Sequence, residues 1–152
     1  MVAAIRIQSE PFDAAAETAV LAAGRGDIGA TVAFTGFCRD EGGRLSALEL
    51  EHYPGMAEAE IARIAHEAEA RWPLMGLTVI HRFGLIRPGE TIVLVLAASA
   101  HRRAAFEAAE FMMDYLKTRA PFWKREHLKD GTVGAWVEAK GSDDAATERW
   151  SG

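Results

Sequence analysis

Two lysines on either side of a proline are the residues best placed for chemistry. Lys117 falls near the end of a long predicted helix that begins at His101 and that Pro121 stops, and Lys124 follows in a short extended run. If the chain folds back after Pro121, both ammonium groups enter one pocket, where each favours the neutral form of the other. A lysine in that setting can act as acid, base or nucleophile. Spacing alone leaves two solvated surface lysines as an alternative.

A second basic pair, His101 and Arg102, lies at the start of the same helix, directly after an apolar strand. The free N–H groups and the dipole at a helix start favour a bound anion, and Ser99 can cap this end. Basic side chains are disfavoured at a helix start, so a bound phosphate or carboxylate would explain them. The alternative is that both side chains are solvated.

The charge of this stretch differs from that of the rest of the chain. Residues 101–129 hold seven Lys and Arg against four Asp and Glu, a local charge of +3, whereas the whole chain carries −5. A basic cluster on an acidic protein indicates a local anion site. The acidic balance argues against a general nucleic-acid binder.

Arg39 is a further candidate, at the end of a strand whose apolar residues alternate from Ile28 to Cys38. Its guanidinium can reach the same anion, although a strand-end charge in solvent is equally compatible. Cys38 lies on the apolar face, which favours a buried, inert thiol over a nucleophile. The five histidines have no metal-ligand spacing, so we expect no zinc site.

The elements that must position these residues follow from periodicity and from turn residues. They alternate as β-α-β-β-α-β-β-α-β, and the continuous apolar run Thr91–Ala98 predicts a central strand covered on both faces. This order predicts an α+β fold with a mostly antiparallel sheet and helical crossovers. The strands are expected at 2–8, 28–38, 45–53, 77–83, 91–98 and 132–138, and the first two helices at 12–23 and 54–72.

Length and composition set the remaining bounds. The 152 residues predict a single domain over 1–152, with a short tail from about residue 141 that Ser142-Asp143-Asp144 can cap as a helix. No apolar run is long enough for a membrane span, and no signal peptide is evident. A single cysteine fits a reducing cytoplasm.

The sequence resembles the MoaE family, the large catalytic subunits of molybdopterin synthases. The matching stretches keep the family's order and cover nearly the whole chain. They are GATVAFTGFCR (29–39), LELEHYPGMAE (48–58), RWPLMGLTVIHRFG (71–84), PGE (88–90), SAHRRAAFEAAEFMMDYLKTRAPFWKRE (99–126) and WVEA (136–139).

The resemblance implies an α/β-hammerhead fold and a sulfurtransferase of molybdenum cofactor biosynthesis. The implied substrate is cyclic pyranopterin monophosphate, which receives two sulfurs to form the dithiolene. The implied donor is a small ubiquitin-like partner that ends in a Gly-Gly thiocarboxylate. The resemblance also implies a homodimer within a 2:2 heterotetramer, and no metal or organic cofactor.

The same resemblance assigns residue roles. Catalysis would fall to Lys117 and Lys124, and substrate binding would involve Phe37, Cys38, Arg39, His101, Arg102, Lys117, Lys124, Arg125 and Glu126. Three positions depart from the family pattern. Some members carry a basic residue at the position of Phe37, valine is usual at that of Cys38, and arginine is common at that of Lys140.

Phe122 and Trp123, between the two lysines, predict a narrow channel that admits a Gly-Gly tail. The alternative is that these aromatic side chains fill the core beneath the helix. Two other functions stay open from the residues alone. One is a non-enzymatic α+β module that binds a small anion or a partner tail, and the other is a Schiff-base lysine enzyme.

Overall fold

A computed structural model describes residues 3–138, 148 and 150 of the chain. Within this part, three α-helices and eight strands follow one another, with a short 3₁₀ turn at Glu41–Gly43. They are β1 (Ala4–Gln8), α1 (Ala14–Ala22), β2 (Ala30–Phe37), β3 (Leu45–His52), α2 (Met56–Arg71), β4 (Leu74–Arg82), β5 (Gly84–Ile86), β6 (Thr91–Ser99), α3 (Arg102–Arg119), β7 (Phe122–Leu128) and β8 (Val137–Glu138). None of these described helices is both long and apolar enough to cross a membrane.

The strands form two four-stranded sheets. The first has the order β1-β4-β6-β2, in which β1 runs parallel to β4 and the other pairs are antiparallel. The second has the order β5-β3-β7-β8 and is antiparallel throughout. This arrangement confirms the predicted α+β class and the mostly antiparallel pairing, but the strands form two sheets where the sequence analysis expected one.

Strand β6 lies in the middle of the first sheet, as its continuous apolar sequence predicted. Val93, Val95 and Ala97 pack into the main core, which α2 and α3 cover. Leu94 and Leu96 face the other way, into a smaller cluster that includes Leu21 of α1. Both faces of the strand are therefore buried, and no polar side chain is needed along it.

Helix α3 buries the face that its 3.6-residue periodicity predicts. Its buried side chains are Ala105, Ala108, Ala109, Phe111, Met112, Tyr115 and Leu116. Ala120 is extended, and Pro121 then leads into β7, which pairs with β3 along its length. The predicted short extended run is thus an interior strand of the second sheet, and it carries Lys124 back towards the end of α3.

Two elements of the structure differ from the prediction. The short strand β5 was not predicted, because it follows β4 after the single residue Phe83. The predicted strand over 132–138 is mostly irregular: only Val137–Glu138 is strand, and Val133 makes an isolated bridge to His127. The predicted tail helix at Ser142-Asp143-Asp144 and the departure at Lys140 lie outside the described residues.

Candidate active site

Strand β7 brings Lys124 to the same cavity as Lys117. Lys124 pairs with Leu50 in the centre of the second sheet, while Lys117 lies in the last turn of α3. Both side chains line an inner cavity of roughly 150 Å³ between the two sheets. Its walls are largely apolar and include Phe34, Leu50, Ile92, Val93, Leu116 and Phe122. Both lysine side chains are exposed, and they lie at the edge of this apolar cavity.

A wider polar cleft adjoins the inner cavity, and the same two lysines line both. Phe37, Cys38, Arg39 and Glu126 line this outer cleft, so the structure brings these predicted site residues together with the lysines. The guanidinium of Arg39 is exposed and forms an ion pair with Glu41. An anionic substrate in the cleft would compete with that carboxylate for Arg39.

Cys38 is held as a buried structural residue at the rim of the outer cleft. Its thiol donates to the carbonyl of Ile86 at 3.7 Å, and burial raises the pKa of the Cys38 thiol above its usual value. Its main-chain N–H donates to the main-chain carbonyl of Glu90, and its own carbonyl accepts from the N–H of Gly89 at 2.7 Å. The predicted inert thiol is consistent with this geometry, and the turn at Gly89 fixes the end of β2.

His101 and Arg102 lie at the other end of α3 from Lys117. Both are exposed, and they line neither the inner cavity nor the outer cleft. Fifteen residues of helix separate Arg102 from Lys117, a distance of about 22 Å at 1.5 Å per residue. One copy of the chain thus does not place the two basic pairs in one pocket. The predicted cap is also different, because the Ser99 hydroxyl donates to the His101 carbonyl rather than accepting from the helix N–H groups.

Arg125 points away from both lysines, because side chains alternate along β7. Its Nε donates to Oε1 of Glu49 at 2.7 Å, and its guanidinium lies 4.4 Å from the centre of the Trp136 ring. His127 contacts the same carboxylate oxygen at 2.8 Å. Hydrogen bonds from His127 and Arg125 lower the pKa of the Glu49 carboxyl. In this copy Arg125 belongs to a polar cluster on the opposite face of the sheet.

Of the two aromatic residues predicted to wall a channel, Phe122 lines the inner cavity and Trp123 does not. Phe122 is 3% exposed and both packs in the core and lines the inner cavity. Trp123 faces the other side of β7, where its ring meets Tyr53 edge-on at 5.9 Å between centres. Phe122 therefore fills the core, as the alternative interpretation expected, and also forms part of the cavity wall, while entry of a Gly-Gly tail stays a prediction.

His81 of β4 lines the inner cavity and was missed in the sequence. Its ring stacks on Phe122, with 3.8 Å between ring centres and 14° between ring planes. Burial lowers the pKa of His81 to about 4, and the charges of Lys117 and His52 act in the same direction. The available signal was the alternation Leu77, Val79, His81, which directs this imidazole inward with two core residues.

We expect the fold to be acid-sensitive, because protonation of the half-buried His81 imidazole is unfavourable. Between pH 6.5 and about 4 the unfolded chain binds a proton at His81 while the folded chain does not. The free energy of unfolding therefore falls as the pH is lowered through this window, and the His81 contribution is fully present above it. From pH 7 to pH 4.5 we expect His81 to account for a loss of about 2 kcal/mol.

Urea unfolding of the wild-type chain and of His81→Gln at both pH values measures this contribution. The variant should lose less stability on acidification than the wild type. His66→Gln, at an exposed position on α2, serves as the control and should follow the wild type. Equal losses in the wild type and His81→Gln would contradict the assignment.

Comparison with known proteins adds independent information. Residues 7–119 match the family model described as MoaE protein. The molybdopterin synthase catalytic subunit of Mesorhizobium japonicum is 71% identical over 146 residues, which cover 96% of this chain and 92% of that protein. The molybdopterin biosynthesis MoaE protein of Burkholderia ambifaria superposes with a TM-score of 0.86 at 48% identity, over 98% of each chain. The crystal structure of molybdopterin synthase from Staphylococcus aureus gives a TM-score of 0.76 at 31% identity, over 86% of this chain and 94% of that one.

Proposed function

The chain belongs to the MoaE protein family, and on that premise we propose that its two-lysine pocket is the sulfur-transfer site of a molybdopterin synthase catalytic subunit. The substrate is cyclic pyranopterin monophosphate, and the sulfur donor is a small ubiquitin-like partner with a C-terminal Gly-Gly thiocarboxylate. The observation that carries this proposal is the convergence of Lys117 and Lys124, from two different elements, on one largely apolar cavity. The names of the relatives support the reaction.

The chemistry explains why two ammonium groups are needed. The thiocarboxylate sulfur attacks a carbon of the pterin side chain, and a C–S bond forms as a C–O bond breaks. The partner is then held as an acyl thioester, which water hydrolyses to a carboxylate and a pterin thiolate. The departing oxygen and the hydrolysis intermediate both carry negative charge. Lys117 and Lys124 stabilise that charge in an apolar setting and supply or accept the protons.

The outer cleft is where the anionic part of the substrate would enter. Arg39 lies in this cleft with both lysines, and the Arg39 guanidinium can bind a phosphate through two parallel hydrogen bonds. Glu126 adds a carboxylate that can accept hydrogen bonds from the donor groups of a pterin ring. The side chain of Phe37 is 59% exposed at the junction of cleft and cavity, where it can cover an aromatic ring.

The positions of His101 and Arg102 lead to a second part of the proposal. These residues match the substrate-binding pattern of the family, yet they lie about 22 Å from Lys117 along α3. In the homodimer that the family resemblance implies, the second copy can supply its His101 and Arg102 to the pocket of the first. We therefore assign the complete site to two copies of the chain, each with one small partner.

Mixing two inactive variants tests both the function and the shared site. Lys117→Ala and Arg102→Ala should each lack sulfur transfer when assayed alone with thiocarboxylated partner and pterin substrate. After subunit exchange, half of the dimers are mixed, and each mixed dimer has one site with both defects and one intact site. We expect about one quarter of the wild-type activity to return.

The control for this experiment is a mixture of Lys117→Ala with Lys124→Ala. Both lysines of a pocket come from the same copy of the chain. Every site in a mixed dimer therefore lacks one lysine, and activity should stay absent. No recovery in the first mixture, with subunit exchange verified by mass spectrometry of a tagged copy, would contradict the shared site. A monomer by light scattering, with and without partner, would remove the dimer itself.

Two further assignments belong to this proposal. Residues 1–152 act as one catalytic domain, and the reaction takes place in the cytoplasm. The thiocarboxylate of the partner tail and the phosphorylated pterin are both anions, which fits the cationic side chains of Arg39, Lys117 and Lys124 in the outer cleft.

A further inference from the structure

We propose that His81 is a positioning residue for Lys117: its Nε2 lone pair accepts a hydrogen bond from the Lys117 ammonium and holds that side chain towards the inner cavity. The inference deepens the proposed function, because it rests on Lys117 acting in that cavity. His81 itself need not touch the reacting atoms. It acts by fixing the direction in which the lysine presents its charge.

The first argument concerns the polar groups inside the cavity. Among the described side chains that line it, the His81 imidazole is the only nitrogen or oxygen group that can accept a hydrogen bond. Lys117 and Lys124 are donors only, and the other lining side chains are apolar. A lysine that turns inward therefore has one side-chain acceptor available to it.

The second argument concerns the tautomer of the ring. Nδ1 of His81 lies 2.9 Å from the main-chain carbonyl of Arg82. A carbonyl oxygen can only accept, so Nδ1 carries the proton and donates it. In a neutral imidazole the other nitrogen, Nε2, is then unprotonated and is a hydrogen-bond acceptor.

The third argument concerns rigidity. The stacking of His81 on Phe122 fixes the ring plane, and Phe122 is in turn fixed by the core and by its pairing with His52. The titratable groups that face His81 are Lys117 from α3, Lys124 from β7 and His52 from β3, while β2 and β6 add apolar side chains. Burial, and to a smaller extent the charges of Lys117 and His52, oppose protonation of His81, so the acceptor remains neutral in the working pH range.

The fourth argument concerns what Lys117 would do without this acceptor. Its side chain is exposed at the junction of the inner cavity and the outer cleft. The outer cleft contains the carboxylates of Asp40, Glu41 and Glu126, which attract an ammonium group outward. A neutral acceptor on the inner side counteracts that attraction without neutralising the lysine charge.

Nitrogen NMR of the full chain labelled with ¹⁵N-histidine gives a test that does not depend on turnover. We expect His81 to show a protonated Nδ1 and an unprotonated Nε2 at pH 7. Lys117→Ala should shift the His81 Nε2 resonance, whereas Lys124→Ala should leave it nearly unchanged. A protonated Nε2, or an Nε2 resonance that is indifferent to Lys117→Ala, overturns the proposal.

Activity provides the second readout. His81→Phe keeps a ring that can stack on Phe122 and removes the lone pair, and His81→Gln restores an acceptor oxygen. We expect kcat for sulfur transfer to fall about tenfold in His81→Phe with KM for the pterin little changed, and to recover substantially in His81→Gln. A merely structural role of the ring would leave His81→Phe at least as active as His81→Gln, and that result overturns the proposal.

The outcomes separate this inference from the proposed function. If the Nε2 resonance responds to Lys117→Ala while that variant keeps normal sulfur transfer, the contact is real and the catalytic role of Lys117 is wrong. If Lys117→Ala abolishes transfer while Nε2 does not respond, the function stands and the positioning role of His81 is overturned.

Discussion

Lys117→Ala and Lys124→Ala are each expected to reduce dithiolene formation by at least about 100-fold, the contribution of a positioned proton-transfer group. The two side chains meet at the boundary between an apolar cavity and a polar cleft. A transition state that gains negative charge there has few other groups to stabilise it. Single-turnover assays with thiocarboxylated partner measure the loss directly and avoid any contribution from partner recycling.

These losses should occur without loss of the fold. Both lysines are exposed, and neither belongs to a described core cluster, so the free energy of unfolding should change by less than about 1 kcal/mol. Lys129→Ala is the matched control, because Lys129 lies in the same basic stretch at an exposed position outside both cavities. It should keep normal activity. Near-normal transfer by both pocket variants would show that the lysines are not catalytic.

The helices and the central strand could be predicted because their signals are local. The buried face of α3 follows from apolar residues spaced three and four apart. The continuous apolar run of β6 indicates a strand that is buried on both faces. The convergence of the two lysines has no local signal. It depends on the pairing of β7 with β3, in which Lys124 meets Leu50 across more than seventy residues of chain. From sequence spacing, the two lysines share a pocket only if the chain folds back after Pro121, and the spacing does not show that it does.

The positions of Arg102, Arg125 and Trp123 relative to the two lysines could have been predicted from helix and strand geometry. A helix rise of 1.5 Å per residue already separates Arg102 from Lys117 by more than one pocket can span. The alternation of a strand already directs Arg125 and Trp123 away from Lys124. The family resemblance names these residues without saying which copy or which face they occupy. The structure shows the face of each residue, and the separation of Arg102 from Lys117 is the basis of the proposal that a second copy completes the site.

His81 was not predicted as a site residue, because nothing next to it in the sequence marks it. As a sequence feature it is one histidine among five, without ligand spacing or a charged neighbour that would suggest catalysis besides Arg82. Its significance comes from three non-local features: its stacking on Phe122, its place in the wall of the inner cavity and the nearby charge of Lys117. Phe122 belongs to β7 and Lys117 to α3, so these features depend on the tertiary fold. A polar residue that shares the core-facing side of a strand with apolar residues is therefore the sequence pattern that indicates a pocket residue of this kind.

Replacing the last Gly of the partner's tail with Phe is expected to stop sulfur transfer while binding survives. The inner cavity holds roughly 150 Å³, and its wall includes Phe122 at 3% exposure and Leu50 at 3%. A Gly-Gly terminus presents only backbone to these walls, whereas a large terminal side chain would have to displace packed core residues at a cost of several kcal/mol. We expect the globular part of the partner to dock outside the cavity, so its affinity should change little. Calorimetry measures the affinity of the two proteins, and a single-turnover assay measures the rate of sulfur transfer.

Gly→Ala at the same position of the tail is the control and should cause only a partial loss of the transfer rate, because one methyl group adds little volume. Transfer at the normal rate from the Phe-terminated partner would show that no narrow channel ends at Lys117 and Lys124.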